Sequence, residues 1–113
     1  MTDRLPAHVE ASGFVRRAEL AGGFGTVLKK GDADRGAIIL LVGHRGEHHA
    51  CLERSLAGDG RYLWQQVGPV RGDGTETIAD WSQKRTRFDS DLWLIELDIP
   101  SPERFIAETT SEG

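Results

Sequence analysis

One stretch near the start of the chain, residues 16–40, constrains the fold more than any other. Its sequence is RRAELAGGFGTVLKKGDADRGAIIL. From Ala11 onward, apolar residues recur at spacings of three and four, which predicts a helix over residues 7–21 with one apolar face. Gly22 and Gly23 end this helix, because glycine takes the left-handed closing conformation at little steric cost.

Two strands are predicted in the rest of this stretch. In residues 24–30, Phe24, Thr26 and Leu28 point to one side and Gly25, Val27 and Lys29 to the other, which predicts a half-buried strand. The run AIILLV at 37–42 is apolar throughout and predicts a central strand covered on both faces. Because GDADRG at 31–36 has the composition of a turn, the two strands are predicted to pair as a β-hairpin.

The second half of the chain shows weaker patterns of the same kinds. The further predicted elements are strands over 50–54 and 62–67, a helix that begins near Asp73 or Thr75, and a last strand over 92–99. Asp73 and Glu76 have the spacing of a capping pair for that helix. Ile78 and Trp81 lie on its apolar stripe and are expected to pack on the sheet.

The order α-β-β-β-β-α-β predicts an α+β fold in which two helices pack on an antiparallel sheet of four to five strands. A length of 113 residues fits one domain over 1–113. The predicted core spans about residues 7–99. Residues 100–113 are predicted to be a tail that forms one helical turn and then frays, because Pro100 and Pro102 stop the last strand.

Two blocks, residues 16–40 and FDSDLWLIELD at 88–98, also carry a family resemblance. The features that carry it are Arg16-Arg17, Gly22, the strand around Val27, Gly31-Asp32, Gly36-Ala37, Phe88-Asp89, Asp91-Leu92-Trp93 and Glu96. With them the chain resembles, from Ala11 to Asp98, the bacterial domain-of-unknown-function family 1491. Members of that family often have proline where this chain has Ser90. The resemblance implies a small single-domain bacterial protein of the cytoplasm, and it assigns no catalytic residue.

Composition removes several classes of function. The longest apolar run, 37–42, is far shorter than the roughly 20 residues of a transmembrane helix, so no membrane partner is predicted. The opening MTDRLPAHVEAS lacks the apolar core of a secretory signal. The single cysteine, Cys51, precludes an intrachain disulfide and fits a reducing cytoplasm. The net charge of −4 argues against a dedicated DNA binder.

Charge is distributed unevenly along the chain. Residues 1–30 carry five Lys/Arg and three Asp/Glu, a balance of +2, whereas residues 88–113 carry one Arg and seven acids, a balance of −6. A basic front and an acidic tail attract each other within one molecule or between two copies. The alternative is a solvated acidic tail, and the sequence favours it.

Asp89, Asp91 and Glu96 form an acidic cluster at the last strand. Converging carboxylates would bind a divalent cation or share a proton, and partial burial would raise the pKa of Glu96. Arg16 or Arg17 would then bind an anion beside them. The structural alternative puts Asp89 at the end of the second helix or in its turn and Glu96 in an ion pair with an arginine, and the sequence favours this alternative.

The basic residues Arg16, Arg17, Lys29 and Lys30 would form one patch if the first helix and first strand are neighbours. Such a patch suits RNA or a phosphorylated ligand. Few aromatic side chains stand near it to stack on bases, so nucleic acid is not the favoured partner.

Three histidines, His44, His48 and His49, lie close to Cys51 in the sequence. Zinc uses these donors, but a site needs three or four that converge, and no second cysteine is present. The sequence therefore predicts surface histidines, with no metal and no cofactor.

Three hypotheses for function remain open. The favoured one is a non-enzymatic binding module that forms a homodimer through a sheet edge or an aromatic patch and binds an unidentified protein partner. The alternatives are an enzyme or metal or anion site on the acidic cluster, and RNA or nucleotide binding through the basic residues. The candidate ligand-binding residues are Arg16, Arg17, Lys29, Asp32, Asp89, Asp91, Trp93 and Glu96.

Overall fold

The computed structural model describes residues 5–56, 59–69 and 77–111. Within them the chain forms helices α1 Ala7–Leu20, α2 Ile78–Phe88 and α3 Pro102–Thr110, and strands β1 Phe24–Lys29, β2 Ile38–His44, β3 Glu47–Leu56, β4 Tyr62–Val67 and β5 Trp93–Asp98. The α+β class is confirmed. The predicted capping pair Asp73 and Glu76 lies outside the described residues, and α2 begins after Thr77, whose Oγ1 accepts the Asp80 N–H at 3.0 Å.

The five strands form one sheet in the order β1-β5-β2-β3-β4. β5 pairs antiparallel with β1 and parallel with β2, so the sheet is mixed, and the prediction of a purely antiparallel sheet was wrong. The predicted β1–β2 hairpin was also wrong, because β5 lies between these two strands. Hydrophobic periodicity assigns residues to faces but carries no strand direction. A strand that returns after a helix can therefore enter the sheet in parallel.

Side chains of the central strands are buried on both sheet faces. On one face α1 and α3 cover the apolar side chains of β2 and β5, among them Leu40, Ile95 and Leu97. On the other face α2 packs Ile78 and Trp81 against a second apolar cluster. The expectation that AIILLV is covered on both faces is confirmed for residues 38–42, which are all buried.

Helix α3 is a correction to the sequence prediction of a single turn. It runs for nine residues, and its Pro102 and Ile106 are buried. Proline is well tolerated in the first turn of a helix, because the missing N–H has no partner there in any case. Ile106 belongs to the same cluster as the buried alanines of α1, so α3 is part of the layer that covers this sheet face.

No helix among the described residues has the length and apolar character needed to cross a membrane.

Candidate functional site

Five of the candidate residues meet where the β1–β2 connection packs on the α2–β5 connection. They are Lys29, Asp32, Asp89, Asp91 and Trp93. The contact, here called the loop interlock (residues 29–37 against 89–93), is made by backbone and side-chain donors that bind backbone carbonyls. The Asp32 N–H donates to the Asp91 carbonyl at 3.0 Å, and the Trp93 indole N–H donates to the Asp32 carbonyl at 2.7 Å. The loop interlock therefore positions the two connections relative to each other.

The Lys29 side chain also contributes hydrogen bonds to the loop interlock. Its ammonium group donates to the carbonyls of Ser90 at 2.7 Å, Leu92 at 3.1 Å and Lys30 at 3.3 Å. An ammonium has three donors, so these three acceptors occupy all of them. Lys29 thus stabilises the loop interlock, and binding an external anion would require it to leave these carbonyls.

The aspartates of the loop interlock accept backbone hydrogen bonds. Asp32 Oδ1 accepts from the N–H groups of Arg35 at 2.8 Å and Asp34 at 2.9 Å, and these bonds lower the pKa of Asp32. Asp89 Oδ1 accepts the Asp91 N–H at 3.1 Å, just after the end of α2. These bonds shape turns, as aspartate side chains in loops commonly do.

Glu96 lies away from these aspartates. It stands on β5 opposite Thr26, three residues beyond Trp93, which is about 10 Å along a strand. Its side chain is exposed, so the expected partial burial was wrong. No hydrogen bond or ion pair joins the Glu96 side chain to another described residue, which leaves its predicted pairing with an arginine without support. The structure therefore does not bring Glu96 together with Asp89 and Asp91.

Two glycines explain why the loop interlock is so compact. A Cβ on Gly31 would lie 2.0 Å from the Asp91 carbonyl oxygen, and a Cβ on Gly36 would lie 2.2 Å from the same atom. Real Cβ atoms do not approach an oxygen this closely, so any larger residue would push the two loops apart. The sequence signal for this contact was the pair of glycines that flank Asp32 and Arg35.

Arg16 and Arg17 lie near the end of α1, beside the start of β1, whereas Lys29 ends β1, so the structure separates the backbones of these basic residues. Val15 of α1 crosses β1 at Gly25, where an added Cβ would lie 2.9 Å from the Val15 Cα. The two arginines follow Val15 in the second half of α1, whereas Lys29 ends β1. Four residues of strand, about 13 Å, separate Gly25 from Lys29.

Arg17 instead faces α3. Its guanidinium carbon lies 5.5 Å from the ring centroid of Phe14 and 5.1 Å from that of Phe105. The space beside it, here called the arginine cleft, lies between α1 and α3 and has a volume of about 340 Å³. It is lined by Arg17, Ala18, Ala21, Leu97, Ile99, Pro100, Ser101, Arg104, Phe105 and Glu108. Sequence reasoning missed Arg104 and Phe105, because it treated their segment as a tail; Ser101 followed by Pro102 was the overlooked signal of a helix start.

The histidine and cysteine cluster is held by local contacts. His48 Nε2 lies 3.1 Å from the Pro69 carbonyl oxygen and 3.8 Å from Cys51 Sγ. Burial raises the pKa of the Cys51 thiol to about 12, and burial lowers the pKa of His48. A thiol with so high a pKa is protonated near neutral pH and is a poor nucleophile. Within the described ranges, no three His, Cys, Asp or Glu side chains are grouped so as to hold a metal ion.

The sheet face that carries α2 is covered only in part. β1 leaves Phe24 56% exposed and Leu28 50% exposed, and Thr26 between them is exposed as well. These three residues and Glu96 of the neighbouring strand are here called the open face. A cleft of about 420 Å³ separates Leu28 from α2. The alternation in the sequence of β1 placed Phe24, Thr26 and Leu28 on one side of the strand. It did not indicate that α2 leaves this side uncovered.

Comparison with known proteins places the chain in a family. The model of the family described as "Protein of unknown function (DUF1491)" matches residues 5–107. The chain belongs to the DUF1491 family. No curated protein matches it.

Solved structures of similar proteins share this fold. A crystal structure of a DUF1491 family protein from Caulobacter crescentus CB15 is 33% identical, covers 82% of this chain and 86% of its own, and has a TM-score of 0.71. An NMR structure of a DUF1491 family protein from that organism is 32% identical over 87% of this chain and 89% of its own, with a TM-score of 0.71. The solution structure of protein Atu0922 from A. tumefaciens is 29% identical over 87% and 88%, with a TM-score of 0.66.

The resemblance to DUF1491 seen in the sequence therefore has a structural counterpart. Gly31, Asp32 and Gly36 from the first block contact Asp91 and Trp93 from the second block at the loop interlock. In this chain, the two blocks meet in space although they are far apart in sequence. Because hydrogen bonds to backbone carbonyls and close packing make this contact, these residues have a structural role in the fold.

Proposed function

We propose that this DUF1491 protein is a non-enzymatic interaction module that pairs with a second copy of itself through the edge of β1. The observation that carries the proposal is the exposure of Phe24 and Leu28 on an edge strand whose only charged residue turns inward. Edge strands of monomeric proteins usually carry an outward charge, a proline or a cover, because an open edge pairs with other chains. Lys29 is the charge in β1, and its ammonium binds the carbonyls of the loop interlock.

The opposite edge of the sheet has a different character. β4 exposes Gln65 and Gln66, which are well solvated. Its Tyr62 and Trp64 rings stack with the Arg54 guanidinium, whose carbon lies 5.1 and 5.7 Å from their centroids. Of the two edges, β1 therefore gains more from being covered, because burial of its two exposed apolar side chains is favourable.

The sequence of β1 is complementary to itself in an antiparallel register. A two-fold axis through Thr26 would place Phe24 opposite Leu28 of the partner subunit, with both on the open face. Each such pair of cross-strand neighbours stabilises a sheet, and an isologous contact forms each pair twice. The register shift of β1 against β5 lies between Val27 and Lys29, so residues 24–27 keep regular spacing and Leu28 stands at the irregularity.

The hydrogen bonding and burial of the reactive side chains also support a binding role over catalysis. Lys29, Asp32 and Asp89 bond to backbone groups of the loop interlock. The Cys51 thiol is buried, with a pKa of about 12. Groups held in this way stabilise the fold and have little capacity left for an external substrate.

Charged substitutions at Thr26, the residue on the proposed two-fold axis, test the proposal. Thr26 is exposed and stands opposite Glu96 of its own subunit, so Thr26→Lys should leave the monomer folded, and Thr26→Glu should leave it folded with a modest loss of stability. Each variant alone would put like charges opposite each other and shift the protein toward monomer, whereas an equimolar mixture would pair Glu with Lys and restore the dimer. Sedimentation equilibrium or light scattering during size exclusion measures the outcome. Gln65→Glu on the other edge is the matched control and should leave association unchanged.

Two results would count against the proposal. One is a wild-type protein that stays monomeric up to the highest soluble concentration. The other is a dimer that neither Thr26 variant weakens, which would assign association to another surface.

A further inference from the structure

The guanidinium N–H groups of Arg17 donate to no acceptor among the described residues. The rings of Phe14 and Phe105 hold its guanidinium by their faces, at 5.5 and 5.1 Å from the centroids. A ring face attracts a cation without accepting its N–H groups in regular hydrogen bonds. The contact therefore orients the guanidinium, and no carboxylate of the described residues bonds to it.

Arg104 on α3 lines the same cleft. Its Nε donates to Glu108 Oε2 at 3.0 Å, one helical turn further along. This pair is highly exposed, with the two side chains 79% and 61% accessible, so it contributes little to stability. The two terminal nitrogens of Arg104 bond to no acceptor among the described residues, and they remain available for a ligand.

Apart from Ser101 and Glu108, the remaining residues that line the arginine cleft are apolar. Leu97 and Ile99 are buried residues of β5 and the segment that follows it, and Ala18 and Ala21 form part of the α1 side. The volume of about 340 Å³ falls within the range of roughly 300–1,000 Å³ for small-molecule sites. Two arginines beside an apolar floor match a ligand with an anionic head and an apolar body.

We propose that the arginine cleft binds a small organic anion, a phosphate monoester or a carboxylate, between Arg17 and Arg104. The anion would accept from the guanidinium groups, which present planar forks suited to such oxygens. Its apolar body would lie over the exposed Ala21 and Pro100, above the buried Leu97 and Ile99. This site is on the sheet face opposite the open face, so the inference stands apart from pairing through β1.

The test is a titration of the full chain with three probes, monitored by amide NMR spectra. The probes are phenyl phosphate, inorganic phosphate and the uncharged benzyl alcohol. Phenyl phosphate should shift the amide signals of Ala18, Ala21 and Phe105, and it should bind more tightly than either other probe. Shifts confined to other parts of the molecule, or equal binding of phenyl phosphate and benzyl alcohol, would overturn the proposal.

Neighbouring arginines provide a matched pair of variants. Arg17→Gln should weaken phenyl phosphate binding about tenfold, the loss expected from one charge-assisted hydrogen bond. Arg16→Gln removes the same charge from the adjacent residue of α1, which does not line the cleft, and should leave binding unchanged. If Arg17→Gln does not fold, Arg104→Gln replaces it, because that side chain is exposed. Equal losses in the Arg16 variant and the cleft variant would reduce the effect to net charge and contradict the inference.

Discussion

Arg54 of β3 binds Glu10 of α1 through both of its terminal nitrogens, at 2.5 and 2.7 Å. The preceding residue, Glu53, makes the same kind of two-point contact with Arg85 of α2 at 2.8 and 2.6 Å. Successive residues of a strand point to opposite faces of the sheet. Two adjacent residues of β3 therefore attach one helix on each face, with the positions of acid and base exchanged.

Loss of the Arg54–Glu10 pair should destabilise the protein strongly. The two side chains are only 10% and 15% exposed, and Arg54→Ala would leave a largely buried carboxylate without its main cation. We expect a loss of about 3 kcal/mol in the free energy of unfolding, measured by urea denaturation. Arg104→Ala, which breaks the exposed pair with Glu108, should change stability by no more than about 0.5 kcal/mol. Similar values for both variants would contradict this account of the buried pair.

Two glycine substitutions should act in opposite directions. Gly31→Ala would place a Cβ 2.0 Å from the Asp91 carbonyl oxygen, and because that atom belongs to the backbone, the loops must move apart. We expect a loss of at least about 2 kcal/mol. Gly13 lies inside α1 with nothing within 4 Å of an added Cβ, so Gly13→Ala should stabilise by about 0.5–1 kcal/mol. Thermal and urea unfolding of the two variants measure both effects, and a stable Gly31→Ala protein would refute the role given to the loop interlock.

Lys29 should matter for stability far more than Lys30. Lys29→Met keeps an aliphatic side chain but removes the donors to the Ser90 and Leu92 carbonyls. The expected loss in unfolding free energy is about 1–2 kcal/mol. Lys30→Met changes an exposed residue with no side-chain bond to a described residue, and should remain within about 0.5 kcal/mol of the wild type. An equal effect of the two substitutions would mean that net charge, not the carbonyl contacts, is responsible.

The Cys51 thiol predicts a dependence of stability on alkaline pH. Burial raises its pKa from 9.0 to about 12, so the folded state holds the proton where the unfolded state has released it. The contribution of this group to stability is thus complete below pH 9 and declines as the pH rises toward 12. Urea denaturation from about pH 8 to about pH 11 should show this decline, and Cys51→Ala should make it shallower. Near neutral pH a thiol reagent should label the native protein far more slowly than the unfolded chain, and rapid native labelling would contradict the burial of the thiol.

Most of the secondary structure followed from local pattern. Alternation assigned Trp93, Ile95 and Leu97 to one face of β5, and the structure places all three in the cluster under α1 and α3. The apolar stripe of α2 likewise assigned Ile78 and Trp81 to the sheet. These assignments succeeded because the period of a strand or helix depends on the backbone geometry of the segment itself.

The errors concern relations between distant segments. Nothing in the pattern of β1 and β2 indicates that β5 lies between them, since an interposed strand leaves both with the same alternation. The candidate acids failed to group for a related reason. Asp89 and Asp91 precede β5 in a loop whereas Glu96 lies within the strand, so closeness in sequence did not become closeness in space. For α3, two nearby prolines indicated only the end of a strand. Pro102 is also a favourable residue for the first turn of a helix, which is where the structure places it.

The position of β5 between β1 and β2 has a consequence for how the chain acquires its fold. During synthesis, β1 and β2 emerge early, but neither can be joined to the other until residues 93–98 are available to bridge them. The hydrogen bonds of β1 to the sheet all depend on a strand made more than 60 residues later, at an entropic cost for closing so long a loop. Until then β2, β3 and β4 can form only a three-stranded meander with one bare apolar edge. This nascent chain is therefore expected to need protection from aggregation until β5 has left the ribosome.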